Sequence, residues 1–499
     1  MAETIVPFGQ LLADESAYRN PGLIRVVNAI PRNNSFGPFR QLSAVTNALE
    51  SRVLGAVSVR DVDDNVYIYA GVAAKLYEAA ANSFADQSKV GGYSTAEGDN
   101  WELAVFGPSK KVIATNYTDP VQSIAIGGGS AGAFADMITS TSTPKAKHLG
   151  IIGPFVVLGF TNDATDGVLS NRVWWSGIRD ETDFDPDSAT QCDFDDLAAG
   201  GTVQRIIGGT EYGLIFQQQM VRTMRYVGGG TIFDLQPLNF APGTPIPNSV
   251  ISYKGQVFYI SDAGFMALNG TQVDTLGDGR VDRSFWNQFD PNNRRYLSAA
   301  IDPINKIVAW AFPGAGATTL PNKIFMCKYD EKKWAEAEID IEFLLATETQ
   351  GYTLEGLDAL GTDIDDSGVF SESFDSDLYK GGAFRFGAFD QLHQLGFFNG
   401  SIMTATFDTG DFSPWEGYRW RLPGVRPLVD GGGVRVSVAS RERLQDSVNY
   451  GVSSTLNANG ICPLNSEGRY QRLRISLSAS ISWEHASGIA FTPVKRGMR

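Results

Sequence analysis

The stretch VFYISDAGFMALNG, Val257–Gly270, decides how this chain is read. An aromatic, β-branched run meets a Ser-Asp-Ala-Gly turn, and a second apolar run closes on Asn-Gly. Two such runs joined by turn residues read as a β-hairpin. The plan recurs along the chain. VYIYAGVAAKLYEAAANSF begins at Val66 and EYGLIFQQQMVRTMRYVGGG at Glu211. IVAWAFPG from Ile307 pairs with IFMCKYDEKKWAEAEI from Ile324, and VVLGFTND from Val156 pairs with RVWWSGIRD from Arg172. These units fit the inner hairpins of propeller blades. One blade buries too little apolar surface to stand alone, and radial stacking supplies the rest. The repeats are uneven, so the blade number stays open.

Within RVWWSGIRD, period-two alternation sends Trp174 and Trp175 to opposite faces of one strand. One is expected in the core between blades and the other at a neighbouring surface. Asp180, Glu181, Asp183, Asp185 and Asp187 fall in the turn that follows, where Asp side chains hydrogen-bond nearby backbone. Aromatics beside acids also suit a glycosidase, which needs two carboxylates about 5–10 Å apart. Spacing in sequence does not set that distance.

Bulk numbers agree with an all-β chain. There are 54 Gly in 499 residues, and Phe, Tyr and Trp make up 11%. Few windows show helical periodicity, so turns and strands dominate. Hydrophobic residues at 43% exclude a disordered chain, and the length asks for two or three domains. The net charge of −15 repels phosphates and argues against a protein that grips DNA. The plainest account of that charge is solubility. It also suits a surface that DNA must pass without sticking.

Cys192, Cys327 and Cys462 are odd in number and far apart, and read as free thiols made in a reducing compartment. The N-terminus carries early acids and no long apolar run, unlike a signal peptide. The longest apolar run, LGIIGPFVVLGF from Leu149, is broken by Gly and Pro and falls short of the ~20 residues a membrane helix needs. No membrane span is expected.

The texture changes near residue 385. SIMTATFDTGDF from Ser401, RWRLPGVRPLVD from Arg419, VRVSVASRER from Val434 and the run from Arg469 alternate regularly, as in an antiparallel sandwich. The expected organisation is an N-terminal arm at 1–50 packing on the C-terminal domain, an irregular β-propeller at 51–385, and a β-sandwich docking domain at 386–499. Arg419, Arg421, Arg426, Arg435, Arg441, Arg443, Arg469, Arg472, Arg474, Lys495, Arg496 and Arg499 make the last part basic. That is either a solvated sheet face or a docking surface for an acidic partner.

Catalytic and metal motifs fail on their context. GGSAG, Gly128–Gly132, matches a nucleophile elbow around Ser130, but no good helix follows. Gly127, Gly129 and Gly132 satisfy G-x-G-x-x-G without the acid about 20 residues on. His148, His393 and His485 are isolated, which disfavours zinc. The acid runs at Asp61, Cys192 and Asp363 lack the calcium-loop spacing. SDAG at Ser261 departs from the sialidase Asp-box, because the acid directly follows Ser and no Thr-Trp closes it. The expectation is therefore no catalytic residue, no cofactor and no metal.

Three phrases carry a family resemblance. PNSVISYKGQVFYISDAGFMALNG (Pro247–Gly270), NRVWWSGIRDETDFDP (from Asn171) and GRYQRLRISLSASISWEHASGIAF (Gly468–Phe491) resemble segments of tail hub or nozzle proteins, the phage stabilisation group, of short-tailed bacteriophages. The resemblance spans most of residues 156–491. It implies a structural, non-enzymatic part of the virion tail, made in the host cytoplasm. Such a protein forms a homo-oligomeric ring, usually a hexamer, below the portal and its adaptor or head-to-tail connector. It extends and closes the DNA-ejection channel, anchors tail fibres or a tailspike, and lets double-stranded DNA pass without specific binding. The loop-rich segment Asp363–Gly382 is either a tip or inter-domain loop or a disordered linker. The rival reading is a tail-borne glycan-binding or glycan-hydrolysing propeller, and a third is a cellular propeller scaffold.

Overall fold

In the strand Gln256–Ser261 the side chains are buried on both faces. Val257 and Tyr259 enter one core, which they share with Leu214, Phe216 and Val221. Phe258 and Ile260 enter another, shared with Ala309 and Trp310. A strand with a core on each side reads as a continuous apolar run, and this is how each sheet is held between two neighbours.

The computed structural model describes residues 3–80, 82–127, 133–137, 144–316, 320–349 and 382–498. It is an all-β molecule: a β-propeller with additional sheets. Six four-stranded antiparallel sheets stand free as blades. Five cover residues 55–86, 102–136, 145–196, 203–242 and 251–275, and the sixth joins residues 343–397 to the short strand Ser43–Ala44. The strands of residues 298–338 fill the remaining place in the ring. Around most of the ring the first strand of one blade lies beside that of the next, so first strands line the axis. The repeated hairpins identified in the sequence are thus the second and third strands of their blades, not the innermost pair.

The ring is closed by the arm. Ala44 pairs with Gly396, so a strand from the start of the chain completes the last blade. That blade runs on through Leu395–Phe397, and residue 385 falls inside its strand Phe384–Phe389.

The strands of residues 298–338 do not end as a separate blade. Their last member, Lys333–Glu338, pairs in parallel with Leu23–Val27, which pairs antiparallel with Ala405–Thr409. Tyr470–Leu477, Val434–Arg441 and Ser454–Thr455 complete a nine-stranded sheet. A seven-stranded sheet, which includes Thr4–Pro7 from the arm, makes the other layer. One core runs from Phe258 and Trp310 through Phe8 and Leu11 to Phe407 and Phe491, uniting the sandwich with the adjoining blades. The rings of Trp310 and Trp334 stack at 5.9 Å with Phe265 against both, and their indole N–H groups donate to Ser249 O and Leu276 O.

Among the described residues no helix is long and apolar enough to cross a membrane. The three cysteines are buried and free. Burial pushes the Cys192 thiol up to about 12 and the Cys462 thiol up to about 11.

Candidate functional site at the propeller axis

The acid turn after Trp175 is a folding element. Glu181 is buried and its carboxylate meets Lys111 Nζ at 2.7 Å, tying the turn to the preceding blade. Asp180 accepts from the backbone N–H of Thr182, Asp183 from that of Asp185, and Asp187 from that of Ala189. These are the local Asx bonds expected of such residues. Both tryptophans are buried. Trp174 packs with Phe106 and Ile113 of the blade before, and Trp175 with Ile215 and Met224 of the blade after. The surface position expected for one of them is therefore a second core, because a middle blade has no free face.

Other singled-out motifs find similar local roles. Asp61 caps its own loop through the N–H groups of Asp63 and Asn65. Asp196 holds Arg172, which also meets Asp163 and Asp166. Ser261 Oγ donates to Gly264 O and accepts from Ala263 N. Residues 128–132, with Ser130, and residues 363–381 lie outside the described residues, so those motifs and the candidate tip loop have no structural account.

Several of the C-terminal arginines are tied to acids of their own domain. Arg441 and Arg472 converge on the buried Asp411, and Arg474 grips Asp408 with two bonds of 2.7 Å. Arg419 meets Glu442, and Arg426 meets Glu3 of the arm. Much of the basic charge of this half is thus spent inside the sandwich or on its own surface.

A different cluster, not legible as a motif, gathers on the first strands of the blades. Glu102, at the start of Glu102–Phe106, meets His148 Nδ1 at 2.8 Å and Arg205 Nη1 at 2.7 Å, and accepts the N–H of Leu149 at 2.9 Å. These residues come from the first strands of three successive blades. Burial acts to raise the Glu102 carboxyl, but Arg205 and His148 outweigh it and hold the group below its ordinary value. His148, isolated in sequence, therefore has a carboxylate partner. Glu342 meets His393 at 2.7 Å just before the first strand of the last blade. Arg52 lies over the Tyr296 ring at 3.7 Å, and burial brings its guanidinium down to about 10.

Beside Glu102 opens a cavity of about 370 Å³ at the same end of the ring. Arg294, Arg295 and Asn248 stand on one side, and Lys147, Tyr117 and Phe160 on the other. Lys147 Nζ sits 4.8 Å from each of the two ring centroids and 2.9 Å from Asp99. Tyr117 and Phe160 have φ of +65° and +54°, a left-handed conformation that bulky side chains rarely hold. Polar groups converging on a concave surface make this a candidate ligand pocket.

At an exposed corner, Asp430, Glu484 and His485 bring one ligand atom each within 4.8 Å of one another. Asp430 already accepts from the N–H groups of Glu484 and His485, so the group reads as a turn cap.

No family model matches the chain, and no curated protein does. Solved structures are similar to the chain at low identity and low TM-score. An extracellular domain of the one-component system BT4673 from B. thetaiotaomicron gives a TM-score of 0.41 at 9% identity, over 83% of this chain and 48% of that one. The extracellular domain of the hybrid two-component system BT4673 gives 0.36 at 10%, over 58% and 33%. A chain of the mitotic checkpoint complex gives 0.38 at 8%, over 74% and 96%. This chain spans a third to a half of the length of the two bacterial domains. Likeness at this level bears on neither function nor partner.

Proposed function

We propose that the chain is a structural wall element: the tail hub or nozzle protein of a short-tailed bacteriophage, acting as a ring of identical copies. The observation that carries the reading is the nine-stranded sheet that runs from the propeller into the sandwich over a common core. A part that must hold a pressurised conduit has to transmit load without hinging. Shared β-pairing and a shared core provide that better than a linker does. The sequence phrases that resemble the hub and nozzle group lie in these same two regions.

In the proposed ring, cyclic symmetry multiplies each loop by the number of copies, so a weak contact becomes a closed gate. Exposed acids such as Asp185 and Asp187 facing the lumen would repel phosphates and let the duplex slide. The sandwich would dock on the adaptor, and blade loops would hold the fibres.

The test is assembly. The purified chain, mixed with the adaptor–portal complex and imaged by electron microscopy, is expected to add a ring below the adaptor. Failure to bind that complex, together with absence of the labelled chain from the virion tail, overturns the reading. Release of reducing ends from host polysaccharide by the chain alone would favour the glycan-cleaving alternative. A lumen rich in Lys and Arg in the assembled ring would reject the acidic-channel mechanism.

A further inference from the structure

We infer that the axial cavity beside Arg294 and Arg295 binds a small molecule through an oxyanion, a phosphate or a carboxylate group. The inference stands independently of the ring, since every residue it uses belongs to one copy.

Three observations converge. First, cations are gathered where they repel. Arg52 and Arg295 both pack on Tyr296, and Arg295 works against the charge on Arg52. Arg294, next in the chain to Arg295 and lining the cavity, makes no ion pair among the described residues. Second, a donor is left over. Arg295 Nε, on a residue that lines the cavity, is buried without an acceptor. A buried donor without a partner costs about 1–3 kcal/mol, so such groups collect where a ligand or water will meet them. Third, the remaining donors are held still. Arg295 Nη2 is fixed by Tyr296 Oη at 2.8 Å, and Lys147 is clamped by two rings and Asp99. Fixed donors lose little freedom when a ligand arrives.

The acids nearby do not cancel this field. Glu102 is occupied by His148 and Arg205, and Asp99, which lines the cavity, is occupied by Lys147. Glu97, which meets Arg295 Nη2, is 85% exposed, and an exposed pair of that kind is weak. An incoming oxyanion can therefore displace the exposed Glu97 from the Arg295 guanidinium and also meet Arg294, which lines the same cavity, and phosphate and carboxylate suit such contacts. The strained Tyr117 and Phe160 backbones fit the same picture, because strain of this kind persists where a site needs a side chain held in place. A cavity of about 370 Å³ accommodates a sugar-sized ligand and no polymer.

The experiment is calorimetric titration of the full chain at constant ionic strength with sodium phosphate, sodium glucuronate and glucose. Saturable binding of phosphate or glucuronate, with glucose silent, is expected. Binding of phosphate alone assigns a phosphate ligand, and binding of glucuronate alone assigns a sugar acid. Arg294 is exposed, so Arg294→Gln should melt like the parent in chloride yet bind roughly tenfold more weakly, the loss of one charge-assisted contact. Arg295→Lys, which keeps the charge but loses the fork, should weaken binding as well. No saturable binding of either anion, or equal binding by the parent and Arg294→Gln, overturns the inference.

Discussion

Val27 and Glu336 pair side by side in parallel, the bridge through which the propeller's sheet continues into the sandwich. Asn28 reinforces the join: its N–H donates to Glu336 O, its side-chain oxygen accepts from Glu338 N, and its amide reaches Thr404 O. Asn28 takes the left-handed φ of +57° that Asn tolerates better than most residues. Asn28→Ala removes two side-chain bonds from a buried position and adds backbone strain. We expect a loss of about 1–3 kcal/mol, with amide exchange rising first in Leu23–Val27 and Lys333–Glu338. Uniform exchange across the molecule would show that this bridge does not couple the two parts.

The same join makes stability depend on pH. Burial raises the Glu336 carboxyl from 4.5 to about 7, while Lys323 and Arg25 pull the other way and Glu338 adds to the rise. Folding therefore favours the protonated form. That contribution is fully present below pH 4.5 and is lost as pH rises through about 7. Glu336→Gln mimics the protonated form at every pH. Its melting midpoint should match the parent near pH ~5 and exceed it near pH ~8. A difference that does not change between those pH values would refute a buried, titrating Glu336.

Trp174 and Trp175, adjacent in the chain, lie in different inter-blade cores. Each Trp→Ala change should cost about 3–5 kcal/mol. Amide protection should fall in residues 102–136 for Trp174→Ala and in residues 203–242 for Trp175→Ala. Loss of protection in the same blade for both variants would contradict the two-core arrangement.

In the acid turn the prediction is a contrast. Glu181→Gln removes a charge from the buried pair with Lys111 and should cost about 1–3 kcal/mol. Asp185→Asn, on an exposed residue, should stay within about 0.5 kcal/mol. Thermal melts of the two variants decide it. Equal losses would mean that the turn is held by its summed charge rather than by one contact.

Ring closure can be tested at Gly396. A Cβ there would lie 2.8 Å from Ser43 O, against the strand that completes the last blade. Gly396→Val should detach Ser43–Ala44 and expose the neighbouring backbone, seen as faster proteolysis around residues 43–52 than elsewhere. An unchanged cleavage pattern would show that the arm is not what closes the ring.

Hairpins and their turns were legible because each depends on residues a few positions apart. Val257 to Ser261 reads as a strand, Asp262–Ala263 as a turn, and Gly264 to Asn269 as the return strand, as found. The two-sided burial of Phe258 and Tyr259 also follows from their unbroken apolar run. The axial cluster was not legible. Glu102, His148 and Arg205 lie far apart in sequence, and each looks like an ordinary polar residue of a strand. A charged or polar residue within successive first strands was the available signal, but it has meaning only once those strands are known to face a common axis.

The sequence by itself determined the all-β class and the repeated hairpin, since period-two apolar runs and Gly-, Asp- and Asn-rich turns act locally on the backbone. Only the tertiary structure decided that the arm completes the last blade, that propeller and sandwich share one sheet, and that arginines gather at the axis. Those outcomes depend on pairings between residues hundreds of positions apart, such as Val27 with Glu336 and Ala44 with Gly396. Local patterns leave such partners unspecified: every strand carries the same backbone donors and acceptors, and closure of the whole ring selects among them.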